Sequence, residues 1–256
     1  MTQEDHTDTE KNDPAPGSIG VWTVGNARFL YRIGTTDEFV LAAEYGLARY
    51  FPSDYEPENG VTILDVGAHI GSFAVLAAQR VPNGVVHAIE PASENFDLLR
   101  KNLQNNNIRN VVAHRLALGA RNGTVRLNHG PGSVGHSLYL NPGWANVTPE
   151  PRSVHAEPLA PYEDVRSRLF ADFLTDNAIE DVAFMKMNIE GAEYVVLLGA
   201  PEDVLQRIHL MQVELHPEDE GLCDRLLERL SKSGFSTTVV WSSDPTVKGW
   251  LTAARG

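Results

Sequence analysis

The stretch Ile63-Leu64-Asp65-Val66-Gly67-Ala68-His69-Ile70-Gly71-Ser72 holds the densest set of residues suited to binding a ligand. A β-branched run ends at Asp65–Val66 and a helical pattern opens near Ile70, so Gly67, Ala68, His69, Gly71 and Ser72 border a strand-to-helix loop. Gly67 and Gly71 have no Cβ, which lets a ligand approach the backbone closely. In an open α/β sheet such a loop edges the crevice at the carboxyl ends of the strands. The spacing is D-x-G-x-x-x-G, not the G-x-G-x-x-G of a dinucleotide site, and Asp65 would repel a pyrophosphate. A ligand with an ammonium, a sulfonium and no phosphate tolerates that acid, and S-adenosylmethionine is such a ligand. Glu90, 25 residues after Asp65 and followed by Pro91, ends a second strand-like run. An acid there accepts hydrogen bonds from ribose hydroxyls. Ala117, in Leu116-Ala117-Leu118-Gly119, offers small apolar surface to a flat base.

Methyl transfer from a sulfonium is an in-line displacement with a good leaving group, so orientation and proximity supply most of the catalysis. A hydroxyl acceptor gains roughly 10²–10⁴-fold from a general base. His216 ends the strand-like VELHP and is the leading base candidate, because an ordinary imidazole titrates near pH ~6.5. Asn188, on the same crevice edge, cannot take a proton but can hold a nucleophile by hydrogen bonds. Glu190 and Glu193 straddle Gly191; Glu190 is read as a site acid, Glu193 as an acid favouring a helix N-terminus. An amine or guanidine acceptor needs only orientation and later proton loss, so transfer to nitrogen stays open beside transfer to oxygen. The nine histidines form no H-x-H or H-E-x-x-H, and no metal site is expected from His129, His136 and His155. Trp22, Tyr31, Tyr45, Tyr139 and Trp144 read as packing before pocket, and Cys223 as an inert helix residue.

The elements that would position these residues follow from periodicity. Residues 61–66, 84–90, 111–118, 182–189 and 208–216 read as strands. Residues 70–80, 93–107, 163–176, 191–200 and 219–234 read as helices, with Ser93 as an N-cap and Gly234 just past a helix end. This β-α-β-α-β alternation implies a doubly wound parallel sheet. A hairpin around Gly25-Asn26, a helix near 37–50, short strands at 124–127 and 136–140, and a closing antiparallel hairpin over 235–253 complete the pattern. The expected division is a disordered tail over 1–18 and one domain over 19–256. Within it lie a hairpin and helix over 19–52, a cofactor-binding half over 61–118, an insertion or lid over 119–160, and a C-terminal half over 161–256.

Composition removes several classes of function. The chain has 256 residues, 42% hydrophobic and 21% charged, which fits a globular protein with a full core. Its formal charge of −13 and scattered basic residues make nucleic acid a poor partner. No apolar run reaches the ~18 residues of a membrane span, and the acidic start does not resemble a secretory signal. A single cysteine excludes an internal disulfide and CxxC metal sites. The expectation is a cytoplasmic monomer or homodimer acting on a small molecule.

GAHIG, AIEP followed by ENFDLLRKNLQNN, LALG, FMKMNIEGAEYVVLLGA and QVELHP, in this order over residues 61–216, resemble the FkbM family of S-adenosylmethionine-dependent methyltransferases. The resemblance implies a class I methyltransferase fold, a Rossmann-like α/β seven-stranded mixed sheet. It also implies conversion of S-adenosylmethionine to S-adenosylhomocysteine, with methylation of hydroxyls on sugars and secondary metabolites, antibiotics among them. Two residues depart from the family pattern: His69 stands where members usually carry Asn, and Asn188 where they usually carry Asp. Asn188 weakens any metal-dependent scheme and keeps a non-catalytic binding role in view. An NAD(P)-dependent oxidoreductase on the same sheet is the competing reading, opposed by the absent G-x-G-x-x-G and by Asp65.

Overall fold

The protein is described by a computed structural model over residues 15, 17–47, 49–53, 55–58, 60–129, 136–138, 161–217, 221–244 and 246–256. Alternating apolar residues pair β1 (Ile19–Val24) with β2 (Ala27–Arg32) around Gly25-Asn26, Val24 lying opposite Ala27. The helix expected at 37–50 is shorter and changes its winding: α1 (Asp37–Val40) runs into a π-helical turn, Leu41–Gly46. Such turns concentrate at functional sites.

The alternation proper begins with β3 (Thr62–Val66), α2 (Ser72–Arg80), β4 (Val85–Ile89), α3 (Ser93–Asn105) and β5 (Val111–His114). Three strands follow: β6 (Ala117–Leu118), β7 (Gly123–Asn128) and β8 (Tyr162–Arg168). Then come α4 (Phe170–Asp176), β9 (Val182–Met187), α5 (Glu193–Gly199), α6 (Glu202–Leu205) and β10 (Ile208–Leu215). The last elements are α7 (Leu222–Lys232), β11 (Phe235–Trp241) and β12 (Gly249–Arg255).

The main sheet has seven strands in the order β11-β12-β10-β9-β3-β4-β5. β5, β4, β3, β9 and β10 are parallel, and β12 is inserted antiparallel between β10 and β11. The parallel strands carry apolar residues on both faces because helices cover both. On one face Phe173, Leu197 and Leu226 of α4, α5 and α7 pack with Met185 and Leu215. On the other, Ala74 and Leu99 of α2 and α3 pack with Phe29 of the N-terminal hairpin.

Two asparagines dock that hairpin. Asn102 on α3 and Asn106 at its C-terminal cap, one helical turn apart, bond the backbone of β2 like a rung of a neighbouring strand. Asn102 accepts from Leu30 N at 2.7 Å and donates to Leu30 O at 3.1 Å and Ile70 O at 2.8 Å. Asn106 accepts from Arg28 N and donates to Arg28 O, both at 2.8 Å.

Three local expectations are corrected. The helix expected at 163–176 is two elements, because residues 162–168 pair with β7 and only α4 is helical. Val165 and Ser167 point inward while charged neighbours alternate outward, and pairing overrides their low strand propensity. The single strand expected at 111–118 breaks after His114, and Ala117–Leu118 pair with β8 in a second sheet ordered β6-β8-β7. Ser93 is not the N-cap of α3; Ala92 is, and Glu163 of β8 accepts from Ser93 N at 2.9 Å instead. Of the strand expected at 136–140, a single bridge between Asn128 and Ser137 lies within the described residues. Residues 1–14 and 16 of the tail, most of 130–160, and with them Tyr139, Trp144 and His155, lie outside the described residues.

Candidate active site

β3 is clamped where it leaves the sheet. Gly67 N and Ala68 N both donate to Ile89 O at 2.9 Å, and Asn188 N donates to Val66 O at 2.9 Å. A Cβ on Gly67 would lie 1.8 Å from Asn188 O, and its φ is +83°. At Gly71, φ +90°, a Cβ would lie 3.2 Å from Leu99 Cγ. Both glycines are therefore demanded by chain against chain, not only by access for a ligand.

Above this edge lies a cavity of about 700 Å³, its open mouth included. Of the residues singled out by sequence, Gly67, His69, Glu90, Pro91, Ala117, Asn188 and Glu190 line it. Asp65, Ala68, Gly71, Ser72 and His216 do not; they are packed behind the wall. Leu116, Ala117 and Leu118 form an apolar wall facing Ile89 and Pro91.

Glu90 is buried, and its carboxylate accepts from His69 N and Ala92 N, both at 2.9 Å. Burial pushes its carboxyl above the usual range, against the opposing pull of His69 and these amides. His69 has φ +49°, and its Nε2 lies 3.2 Å from Asp37 Oδ1. Asp37 is fully buried and is held by the backbone and guanidinium of Arg32. Arg32 also donates to Asn95 Oδ1 at 2.6 Å, so α1 and β2 are tied to the loop that bears His69.

Asp65 turns away from the cavity. Its neighbour across the parallel pair is Lys186, whose Nζ lies 3.2 Å from Asp65 Oδ1, 3.5 Å from Glu44 Oε1 and 2.5 Å from Gly67 O. Burial raises the Asp65 carboxyl to about 6, with Lys186 opposing and Glu44 reinforcing the rise. Burial would lower the Lys186 ammonium, but Asp65 and Glu44 outweigh it and the group is held above its ordinary value. Glu44, on the π-helical turn, accepts from Ser72 Oγ and lines the cavity.

His216 is buried, with Nδ1 3.1 Å from Glu193 Oε1 and Nε2 3.3 Å from Glu190 Oε2. Burial works to lower its pKa, yet Glu193, with Glu190 and Glu214, raises it to about 9. At neutral pH the ring is an imidazolium, a donor without a free lone pair. Glu193 also accepts from Gly191 N at 2.8 Å, as an acid at the start of α5 should. Asn188 donates to Tyr50 OH at 3.2 Å and Glu214 Oε2 at 3.3 Å, while its buried Oδ1 has no hydrogen-bond partner among the described residues. His136 lines the opposite wall; burial and the neighbouring His129, His69 and Arg32 lower it to about 4, so its ring is neutral.

Sequence reasoning missed Glu44, Asp37, Tyr50, Glu214 and Lys186. Only Lys186 left a signal, as the one charge in the apolar strand VAFMKM. Glu44, Tyr50 and Glu214 have partners tens of residues away, and Asp37, beyond its bond to Arg32, meets His69 only in the fold. Among the described residues, no group of three or more His, Cys, Asp or Glu side chains is arranged to hold a metal. No helix among them is long and apolar enough to cross a membrane.

The strand order, with its antiparallel β12, and a cavity at the carboxyl edge define a class I methyltransferase. A family model described as the methyltransferase FkbM domain matches residues 65–237, and the chain belongs to that family of S-adenosylmethionine-dependent methyltransferases. It is 29% identical to methyltransferase sdnD of Sordaria araneosa over 203 residues, 71% of this chain and 77% of that one. It is 26% identical to the 31-O-demethyl-FK506 methyltransferase FkbM of Streptomyces tacrolimicus over 254 residues, 92% of this chain and 91% of that one. The solved FkbM methyltransferase of Methylobacillus flagellatus KT shares the fold at a TM-score of 0.50 and 19% identity, over 80% of this chain and 46% of that one.

Proposed function

We propose that the chain methylates a hydroxyl of a small molecule, a sugar or secondary metabolite. The observation that carries this reading is that one cavity gathers Glu90, Ala117 and Asn188 at the carboxyl edge of the sheet. These residues fit S-adenosylmethionine. Glu90 offers a carboxylate to sugar hydroxyls, the wall at Leu116, Ala117 and Leu118 suits a flat base, and the unpartnered Asn188 Oδ1 offers an acceptor. When bound, S-adenosylmethionine supplies an electrophilic methyl group. Gly67, His69 and Pro91 shape the nucleoside side of the wall, while Asp65, Ala68, Gly71 and Ser72 hold the loop from behind.

Glu190 is the proposed base. It lines the cavity, and its φ of +54° sets it in a turn held by Ser137 Oγ bonding to Glu190 O at 2.8 Å. His216, an imidazolium wedged between Glu193 and Glu190, positions that carboxylate and balances its charge rather than taking the proton itself. The relative acting on 31-O-demethyl-FK506 supports oxygen over nitrogen. The alternative, an amine or guanidine acceptor, draws on a lining with Glu44, Glu90 and Glu190 and no Lys or Arg among the described residues.

Calorimetry with S-adenosylhomocysteine tests the cofactor site directly, with saturable binding at micromolar ligand expected. An absence of heat from folded protein at high micromolar ligand would refute it. With an acceptor from a screen of hydroxylated and amino metabolites, Glu190→Gln is expected to lower kcat by 10²-fold or more for a hydroxyl, at little cost in binding. An unchanged kcat would remove Glu190 as the base.

A further inference from the structure

We infer that Glu44 is the residue that receives the ammonium at the amino-acid end of the bound cofactor. The inference rests on the proposed placement of S-adenosylmethionine along the crevice. Its first support is position. Glu90 and Ala117 mark the sugar and base at the β4 and β6 side of the cavity. The amino-acid end must then extend the other way, toward β3 and β9. Glu44 lies on that side: its carboxylate accepts from Ser72 Oγ at the start of α2 and stands 3.5 Å from Lys186 Nζ on β9.

The second support is charge. Around the single ammonium of Lys186 stand the carboxylates of Glu44, Asp65 and Glu214. Acids outnumber cations there, in a region closed to water, and Glu44 is the member that lines the cavity beside Asn188. A ligand ammonium arriving at Glu44 offsets that excess, whereas a ligand carboxylate arriving there would meet repulsion. The third support concerns a competing acceptor. Gly67 O, a backbone carbonyl of the loop, already accepts from Lys186 Nζ at 2.5 Å. Of the lining carboxylates, Glu90 stands at the β4 end and Glu190 is paired with His216, which leaves Glu44, with the unpartnered Asn188 Oδ1, to meet a cation on the β3 side.

The consequence is that a residue N-terminal to the matched FkbM region, on a π-helical turn, completes the cofactor site. The test compares two ligands on the full chain by calorimetry. S-Adenosylhomocysteine carries the amino-acid end; 5′-methylthioadenosine has the same nucleoside without it. Glu44→Gln is expected to weaken S-adenosylhomocysteine binding at least tenfold and leave 5′-methylthioadenosine within twofold. Equal weakening of both ligands, or of neither, would overturn the assignment. Ser72→Ala, which removes the bond to Glu44 but not its charge, should keep most of the discrimination between the two ligands. If instead Ser72→Ala erases that discrimination as fully as Glu44→Gln, the effect is one of folding and the inference fails. Wild-type protein that binds neither ligand would defeat the underlying cofactor reading rather than the role of Glu44.

Discussion

Lys186 occupies a strand position where its neighbours are Phe, Met and Met, and its ammonium is wholly enclosed. A charge so placed persists only because carboxylates surround it. Lys186→Met would leave Asp65 and Glu44 facing each other without a cation. The expected loss is about 3–5 kcal/mol of stability, or roughly a 10 °C fall in Tm. Thermal unfolding of Lys186→Met beside Lys186→Met/Asp65→Leu checks this, since removing one acid as well should restore much of the loss. At the proposed sugar end of the cavity, Glu90→Gln keeps the shape of the side chain and removes its charge. It is expected to weaken S-adenosylhomocysteine binding about tenfold by calorimetry, and an unchanged Kd would move the sugar away from Glu90.

Elements hold these residues through side chains that act as backbone. Asn102 bonds β2 on one side and the carbonyl of Ile70 on the other, joining hairpin, helix and ligand loop in one residue. Asn102→Ala removes the partner of three backbone groups, the buried Ile70 O and the half-buried Leu30 N and O, and should cost about 2–4 kcal/mol. Because Asp37, Glu44 and His69 depend on the hairpin's seat, the same variant should also weaken cofactor binding. Hydrogen exchange should show faster exchange at Leu30 and Arg28 than elsewhere in the sheet. Glu163 plays the same part for α3, where β8 supplies the cap that Ser93 was expected to provide. The bonds from Ser93 and Arg115 outweigh partial burial and hold the Glu163 carboxyl below its usual range.

At the scale of the whole molecule, His216 links stability to mildly alkaline pH. Its folded pKa of about 9 lies above the unfolded value of about 6.5. A raised pKa means that its contribution is complete below ~6.5 and fades as pH rises through 9. Denaturant unfolding should show stability falling from pH 7 to 9.5, by about 3 kcal/mol at most, and His216→Gln should flatten that slope. A slope unchanged in the variant would show that the imidazolium is not paired as described.

The order of strands and helices was legible because each strand is a short apolar run and each helix an amphipathic stripe, both local properties of the chain. Asp65, Gly67 and Glu90 could be picked out for the same reason: they stand at the ends of runs. Which of them faces the cavity was not legible. Asp65 and Glu90 both end strands, yet the parallel register sets Lys186 beside Asp65 and turns it inward, while Glu90 stays at the wall. His216 reads as an ordinary histidine until folding brings Glu190 and Glu193 against it. Residues 163–168 read as the start of a helix, and became strand because β7 offered a partner. Local sequence thus determined the alternating fold and the loops of its ligand edge. Burial, register and charge pairing between distant segments decided which side chains do chemistry, because the electrostatics of a side chain depend on neighbours that only the tertiary structure supplies.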